Sequence, residues 1–167
     1  MGTKNNLEIE RKFLLKKVPD FWEESSRYYI HQIYVNVNGV TTRFRMTEKL
    51  GGDENLTRKY VQCNKRLISP GVFEEIESEI THEIFRDMCH KEHSYIVKVR
   101  HVYEHGGLKW EVDEYSDVAL VTLEVELEDI NQEITIPEVI KKELIAEVTG
   151  QKEFSNQSLS IKKEVLI

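Results

Sequence analysis

Six segments of this 167-residue chain hold charged residues two positions apart: Glu8-x-Glu10-x-Lys12, Arg43-x-Arg45, Glu75-x-Glu77, Lys98-x-Arg100, Glu111-x-Asp113 and Glu124-x-Glu126. In a β-strand, residues i and i+2 point to the same face, so each pair presents two charges side by side. Carboxylate oxygens are the hard ligands that Mg²⁺ or Mn²⁺ takes. Arginine forks match phosphate oxygens in a bidentate way, and lysine adds a compact point charge. Any one pair is also what the polar face of a half-solvated strand looks like. The set is distinguished by segregation of sign, because some segments offer only cations and others only anions. If all these faces turn inward, they line a polar lumen with a carboxylate wall and a cationic wall, a divided site that suits a polyphosphate with a divalent metal.

The elements that must position these residues follow from the same period of two. Strands are expected at 7–16, 28–36, 40–49, 56–65, 72–78, 94–103, 108–116 and 119–128, enough to close a barrel. Turns fall at Gly51-Gly52-Asp53-Glu54-Asn55 and Glu104-His105-Gly106-Gly107, so neighbouring strands pair as hairpins and the sheet is mainly antiparallel. Helices are expected after Asp20, over 78–91, and from Pro137, where Ile140, Leu144 and Ile145 make an apolar face. They cover the outward apolar faces. With 40% hydrophobic residues the chain has material for one core, and 1–167 reads as a single mainly β (α+β) domain. A net charge of -7 argues against nucleic acid or an acidic membrane as partner, so bound phosphate must meet local positive charge. Cys63 and Cys89 are too few for a disulfide framework and read as reduced thiols. Met1 to Leu15 contains no continuous apolar run and nothing later approaches a membrane span, so the expected address is the cytoplasm.

The opening Glu8-Ile9-Glu10-Arg11-Lys12-Phe13-Leu14 resembles the ExExK signature of the CYTH superfamily, the triphosphate tunnel metalloenzymes. The five later pairs occur in that family's order, and Glu147-Val148-Thr149-Gly150-Gln151-Lys152, through Asn156 and Leu159, resembles its closing segment. The resemblance covers nearly the whole chain. It implies a closed eight-stranded antiparallel tunnel with flanking helices, holding a linear triphosphate and one or two divalent metals. Glu8, Glu10, Glu124 and Glu126 would be the main metal-side carboxylates, assisted by Asp113 and by Glu111 or Glu77. Lys12, Arg43, Arg45 and Arg100 would hold phosphate oxygens. Lys98 matches a position that orients or deprotonates the attacking water; a further phosphate clamp is the equal alternative. Lys59 and Lys65 share the parity of a further tunnel lysine, with Lys65 preferred. Lys152 matches the closing lysine, although Glu153 and Phe154 depart from the basic residue and tyrosine that relatives often carry there.

The implied reaction is metal-assisted hydrolysis of a small-molecule triphosphate by a monomer or homodimer. No pocket for an organic group stands out, which favours inorganic tripolyphosphate over thiamine or nucleoside triphosphates. A cyclase of the class IV adenylyl type and a non-catalytic binder of phosphorylated ligands are the competing readings. Trp22 and Trp110 read as core, the six histidines form no metal-ligand pattern, and Met46, Met88 and Cys89 read as core filler.

Overall fold

The computed structural model describes residues 4–20, 24–52 and 57–165. The described residues form nine strands: β1 (Lys4–Leu15), β2 (Ser26–Val37), β3 (Val40–Leu50), β4 (Arg58–Ser69), β5 (Val72–Glu79), β6 (Ser94–His105), β7 (Leu108–Tyr115), β8 (Val121–Leu127) and β9 (Leu144–Glu147). Three helices accompany them, α1 (His82–Cys89), α2 (Glu138–Lys141) and α3 (Asn156–Val165).

The first eight strands close on themselves through β1. Its first half pairs β5, from Lys4↔Glu77 to Ile9↔Val72, and its second half pairs β8, from Ile9↔Leu127 to Leu15↔Val121. Around the ring the order is β1-β5-β4-β3-β2-β6-β7-β8 and back to β1, antiparallel throughout. Closure removes the sheet edges that an open sheet would leave unpaired. The eight expected strands and the closed antiparallel barrel are all present.

The outward faces are apolar and covered. Phe13, Trp110, Val112, Leu123 and Val125 form one cluster with Ile140 of α2, and Ile33, Val35 and Phe44 form another with Phe85 of α1. Met46, Met88 and Cys89 pack against the second. Thr81 caps α1 by accepting from the Ile84 backbone N–H at 3.2 Å, and Phe85 is the residue that the helix buries. Trp110 lies in the core, 1% exposed; Trp22 falls outside the described residues.

Two elements differ from expectation. The segment from Pro137 makes only the single turn α2 before Leu144 and Ile145 enter β9, which pairs β1 at Phe13↔Glu147 and Leu14↔Ala146. β5 covers β1 only as far as Ile9, so residues 13–15 keep an open edge, and a strand satisfies those backbone groups where a short helix could not. Arg11 locks the addition through two bonds of 2.8 Å to Glu147. The second difference is α3, which carries no strong helical pattern. Its Leu159 packs on Ile96 and Tyr115, residues that share the inward faces of Lys98 and Asp113. α3 therefore fills one end of the barrel. The helix expected after Asp20 and the turn at 51–55 fall partly outside the described residues.

The β4–β5 turn is seated on β1 beside the charged pair. The Glu10 backbone N–H donates to the Gly71 carbonyl at 2.8 Å. Gly71 has φ +78, and a Cβ there would stand 2.7 Å from the Glu10 carbonyl oxygen. Gly71→Ala is expected to lower stability by about 1–3 kcal/mol in chemical denaturation; an unchanged midpoint would mean that the turn is free to move off β1.

Candidate functional site

Strand parity turns the charged pairs into a cavity of about 660 Å³. Of the residues expected at the site, Glu8, Glu10, Lys12, Arg43, Arg45, Lys65, Arg100, Glu124, Glu126 and Lys152 line it. Glu75, Glu77 and Glu111 line it too. Lys59 lies elsewhere, paired with Glu79 at 3.9 Å with both side chains more than half exposed.

The carboxylate wall is crowded. Glu8 and Glu10 share one cation, with Lys65 Nζ at 3.2 and 3.5 Å. Burial, with repulsion from Glu124 adding to it, pushes Glu10 up to about 8. Burial also raises Glu8. Glu124 behaves oppositely: burial would raise it, but Lys12 at 3.3 Å and Arg100 at 3.9 Å outweigh burial and hold it at about 2. One lysine for two carboxylates leaves this wall short of positive charge. A hard divalent cation would supply what is missing, and carboxylate oxygen is the donor type that Mg²⁺ or Mn²⁺ takes.

Facing it are three guanidinium groups. Arg45 Nε donates to Gln32 Oε1 at 3.0 Å. Burial first, then Arg43 and Arg100, lowers Arg45 to about 10. Arg43 stands 3.8 Å from both Glu75 and Glu77. An anion between these arginines would relieve their mutual repulsion.

Lys98 and Asp113 share the inward parity but do not reach the cavity; both are completely buried. Asp113 accepts two bonds from Arg100, Nε to Oδ1 and Nη2 to Oδ2, each at 2.8 Å. Its Oδ2 also accepts from Lys98 Nζ at 2.7 Å. Burial opposes ionisation of Asp113, yet Arg100 and Lys98 hold it far below the usual carboxylate range. Burial, with repulsion from Arg100 and Arg45, lowers the Lys98 ammonium to about 7 against the pull of Asp113. As arranged, both Asp113 oxygens are engaged in aiming Arg100, which also pairs with Glu111.

Several contributors were not anticipated. Gln32 is wholly buried, and Tyr34 lines the cavity. Arginine can only donate, so the Gln32 oxygen must face Arg45 and its NH₂ donates to the Tyr34 hydroxyl oxygen at 2.9 Å. The Tyr34 proton is thereby free to turn toward the lumen. Cys63 also lines the cavity, its thiol donating to Glu75 at 3.2 Å and pushed up to about 12 by burial. Cys63, Glu75 and Glu77 bring ligand atoms within 4.8 Å of one another, but Arg43 already supplies charge to both carboxylates. The Phe154 backbone carbonyl, which any residue at that position would offer, accepts from Lys12 Nζ at 2.7 Å and steers that ammonium.

With this geometry the chain superposes on the inorganic triphosphatase NE1496 with a TM-score of 0.58, at 24% identity over 92% of this chain and 94% of that one. A second crystal structure, of the hypothetical protein NE1496, gives the same TM-score at 23% identity, over 92% of this chain and 97% of that one. The chain has the CYTH fold. No protein-family model and no curated protein matches it by sequence. Among the described residues, no helix is long and apolar enough to cross a membrane.

Proposed function

We propose that this CYTH-fold protein is a divalent-metal-dependent triphosphatase, with inorganic tripolyphosphate as its preferred substrate. The observation that supports the reading most directly is the meeting, in one cavity, of Glu8, Glu10, Glu124 and Glu126 with Arg43, Arg45 and Arg100. Glu8, Glu10, Glu124 and Glu126 would hold the metal, which when bound would supply charge neutralisation to the phosphate oxygens. The three arginines, with Lys12, Lys65 and Lys152, grip the remaining phosphate oxygens in a fixed field. Water forms a new bond to the terminal phosphorus as the bond to the bridging oxygen breaks, yielding diphosphate, orthophosphate and a proton.

The role of Lys98 is set by access. It is sealed from the cavity, so we assign it to supporting Asp113 and Arg100 rather than to deprotonating water. Lys98→Met keeps volume and removes the charge; it is expected to raise KM more than it lowers kcat and to leave any alkaline limb of the rate profile in place. A lost limb with little change in KM would return Lys98 to the role of base. Substrate class is tested by incubating the protein with Mg²⁺ or Mn²⁺ and tripolyphosphate, thiamine triphosphate or ATP. Orthophosphate is expected to appear fastest from tripolyphosphate. Cyclic AMP from ATP would establish the cyclase instead, and binding without any product the non-catalytic binder.

A further inference from the structure

Asn156 opens α3 where that helix meets the lumen, and its amide is oriented from one side. Its Oδ1 accepts from the Tyr115 hydroxyl at 2.6 Å and from Lys98 Nζ at 3.3 Å. An ammonium has no acceptor, so the oxygen rather than the nitrogen must face Lys98. Asp113 pins that ammonium from the other side at 2.7 Å. The NH₂ diverges from that oxygen at the same planar carbon and so is left off the Lys98 and Tyr115 contacts, and Asn156 lines the cavity together with Ser155 and Gln157.

The carboxylates of this wall are already engaged. Asp113 is held by Arg100 and Lys98, Glu111 by Arg100, and Glu124 by Lys12 and Arg100. We propose that Asn156 is an anion-contacting residue, its amide NH₂ donating to an oxygen of the terminal phosphate. The inference rests on the triphosphatase reading and adds a residue to it. A neutral donor suits this place, because it binds a phosphate oxygen without adding to the repulsion among Arg43, Arg45 and Arg100. It also ties the substrate to α3, so the helix that fills the barrel end takes part in binding.

Asn156→Asp separates this role from a purely structural one. The aspartate keeps an oxygen toward Lys98 and Tyr115 but replaces the NH₂ with a second oxygen, which repels phosphate. KM for tripolyphosphate is expected to rise roughly tenfold to a hundredfold, with a smaller change in kcat and no loss of melting temperature in the metal-free protein. Asn156→Ala, which removes the donor without adding repulsion, is expected to raise KM less. If Asn156 only ties α3 to Lys98, Asn156→Asp keeps the wild-type KM, and that result overturns the proposal; should the aspartate variant not fold, a wild-type KM in Asn156→Ala does the same. Calorimetric affinity for pyrophosphate with Mg²⁺ keeps this apart from the triphosphatase reading. Wild-type protein that binds pyrophosphate without hydrolysing tripolyphosphate overturns that reading alone, and the asparagine is then judged on affinity, where equal values for wild type and Asn156→Asp overturn it. Protein that binds no phosphate compound overturns both.

Discussion

Asp113→Asn is expected to lose about 3–5 kcal/mol of folding stability and nearly all turnover together, the cost of stranding buried charge. The side chain keeps its shape, but one of its atoms changes from acceptor to donor among neighbours that can only donate. With the amide oxygen in the Oδ1 place, Arg100 Nη2 and Lys98 Nζ both face an NH₂ group; with it in the Oδ2 place they keep their acceptor and Arg100 Nε faces the NH₂. The sign of the pH dependence is fixed by the direction of the shift. Asp113 lies far below its ordinary value of 3.8 in the folded protein, so its contribution is fully present above that value and fades only as pH falls toward the folded one. The Asp113 share of the stability gap between wild type and Asp113→Asn, read by urea denaturation, therefore narrows only in acid. Glu111→Gln is the control: Glu111 is partly exposed and Arg100 retains Asp113, so the loss is smaller. Equal losses in the two variants would remove Asp113 from its place as the anchor of the cationic wall.

Glu10→Gln has the opposite effect on stability while also abolishing turnover. The folded-state value of Glu10 is raised from 4.5 to about 8. Between those values the unfolded chain releases its proton and the folded one keeps it, so the wild-type protein loses stability as pH rises through that window. Glutamine has no proton to lose. The metal-free variant is expected to match wild type near pH 4 and to exceed it by roughly 1–3 kcal/mol near pH 8, about 3–10 °C in melting temperature. Saturating Mg²⁺ reverses the order, because the ion binds and stabilises only a folded state with its carboxylates intact. A variant that is less stable than wild type without metal at pH 8 would show that Glu10 is already well compensated.

The barrel was legible because its two faces have opposite chemistry: a charge at every second residue beside an aliphatic one leaves little choice of register or of which face turns in. β9 was not. Ile140, Leu144 and Ile145 fit a helical spacing as well as a short strand, and what decides between them is the open edge of β1 at residues 13–15, a tertiary fact. α3 begins Asn-Gln-Ser, of which Asn and Ser are weak helix formers, and is held by Leu159 against Ile96 and by Asn156 against Lys98. At the site, parity named the face but not the depth along the barrel axis. Lys98, Arg100, Asp113 and Glu111 have the same parity, yet only Arg100 and Glu111 line the cavity, because α3 covers the end where Lys98 and Asp113 sit. Gln32 and Tyr34 lie on a strand without a charged pair, so the pattern of paired charges passed them by.

The account stands on the cavity acting as one metal-dependent triphosphate site. The measurement that bears on it most directly is release of orthophosphate and pyrophosphate from tripolyphosphate by the wild-type protein with Mg²⁺ or Mn²⁺, before and after a chelator and alongside Glu10→Gln. The account predicts the two products in equal amounts, turnover that stops with chelation and returns with added metal, and none above background in the variant. Turnover that survives chelation, or Glu10→Gln protein as active as wild type at metal concentrations below saturation, would contradict it.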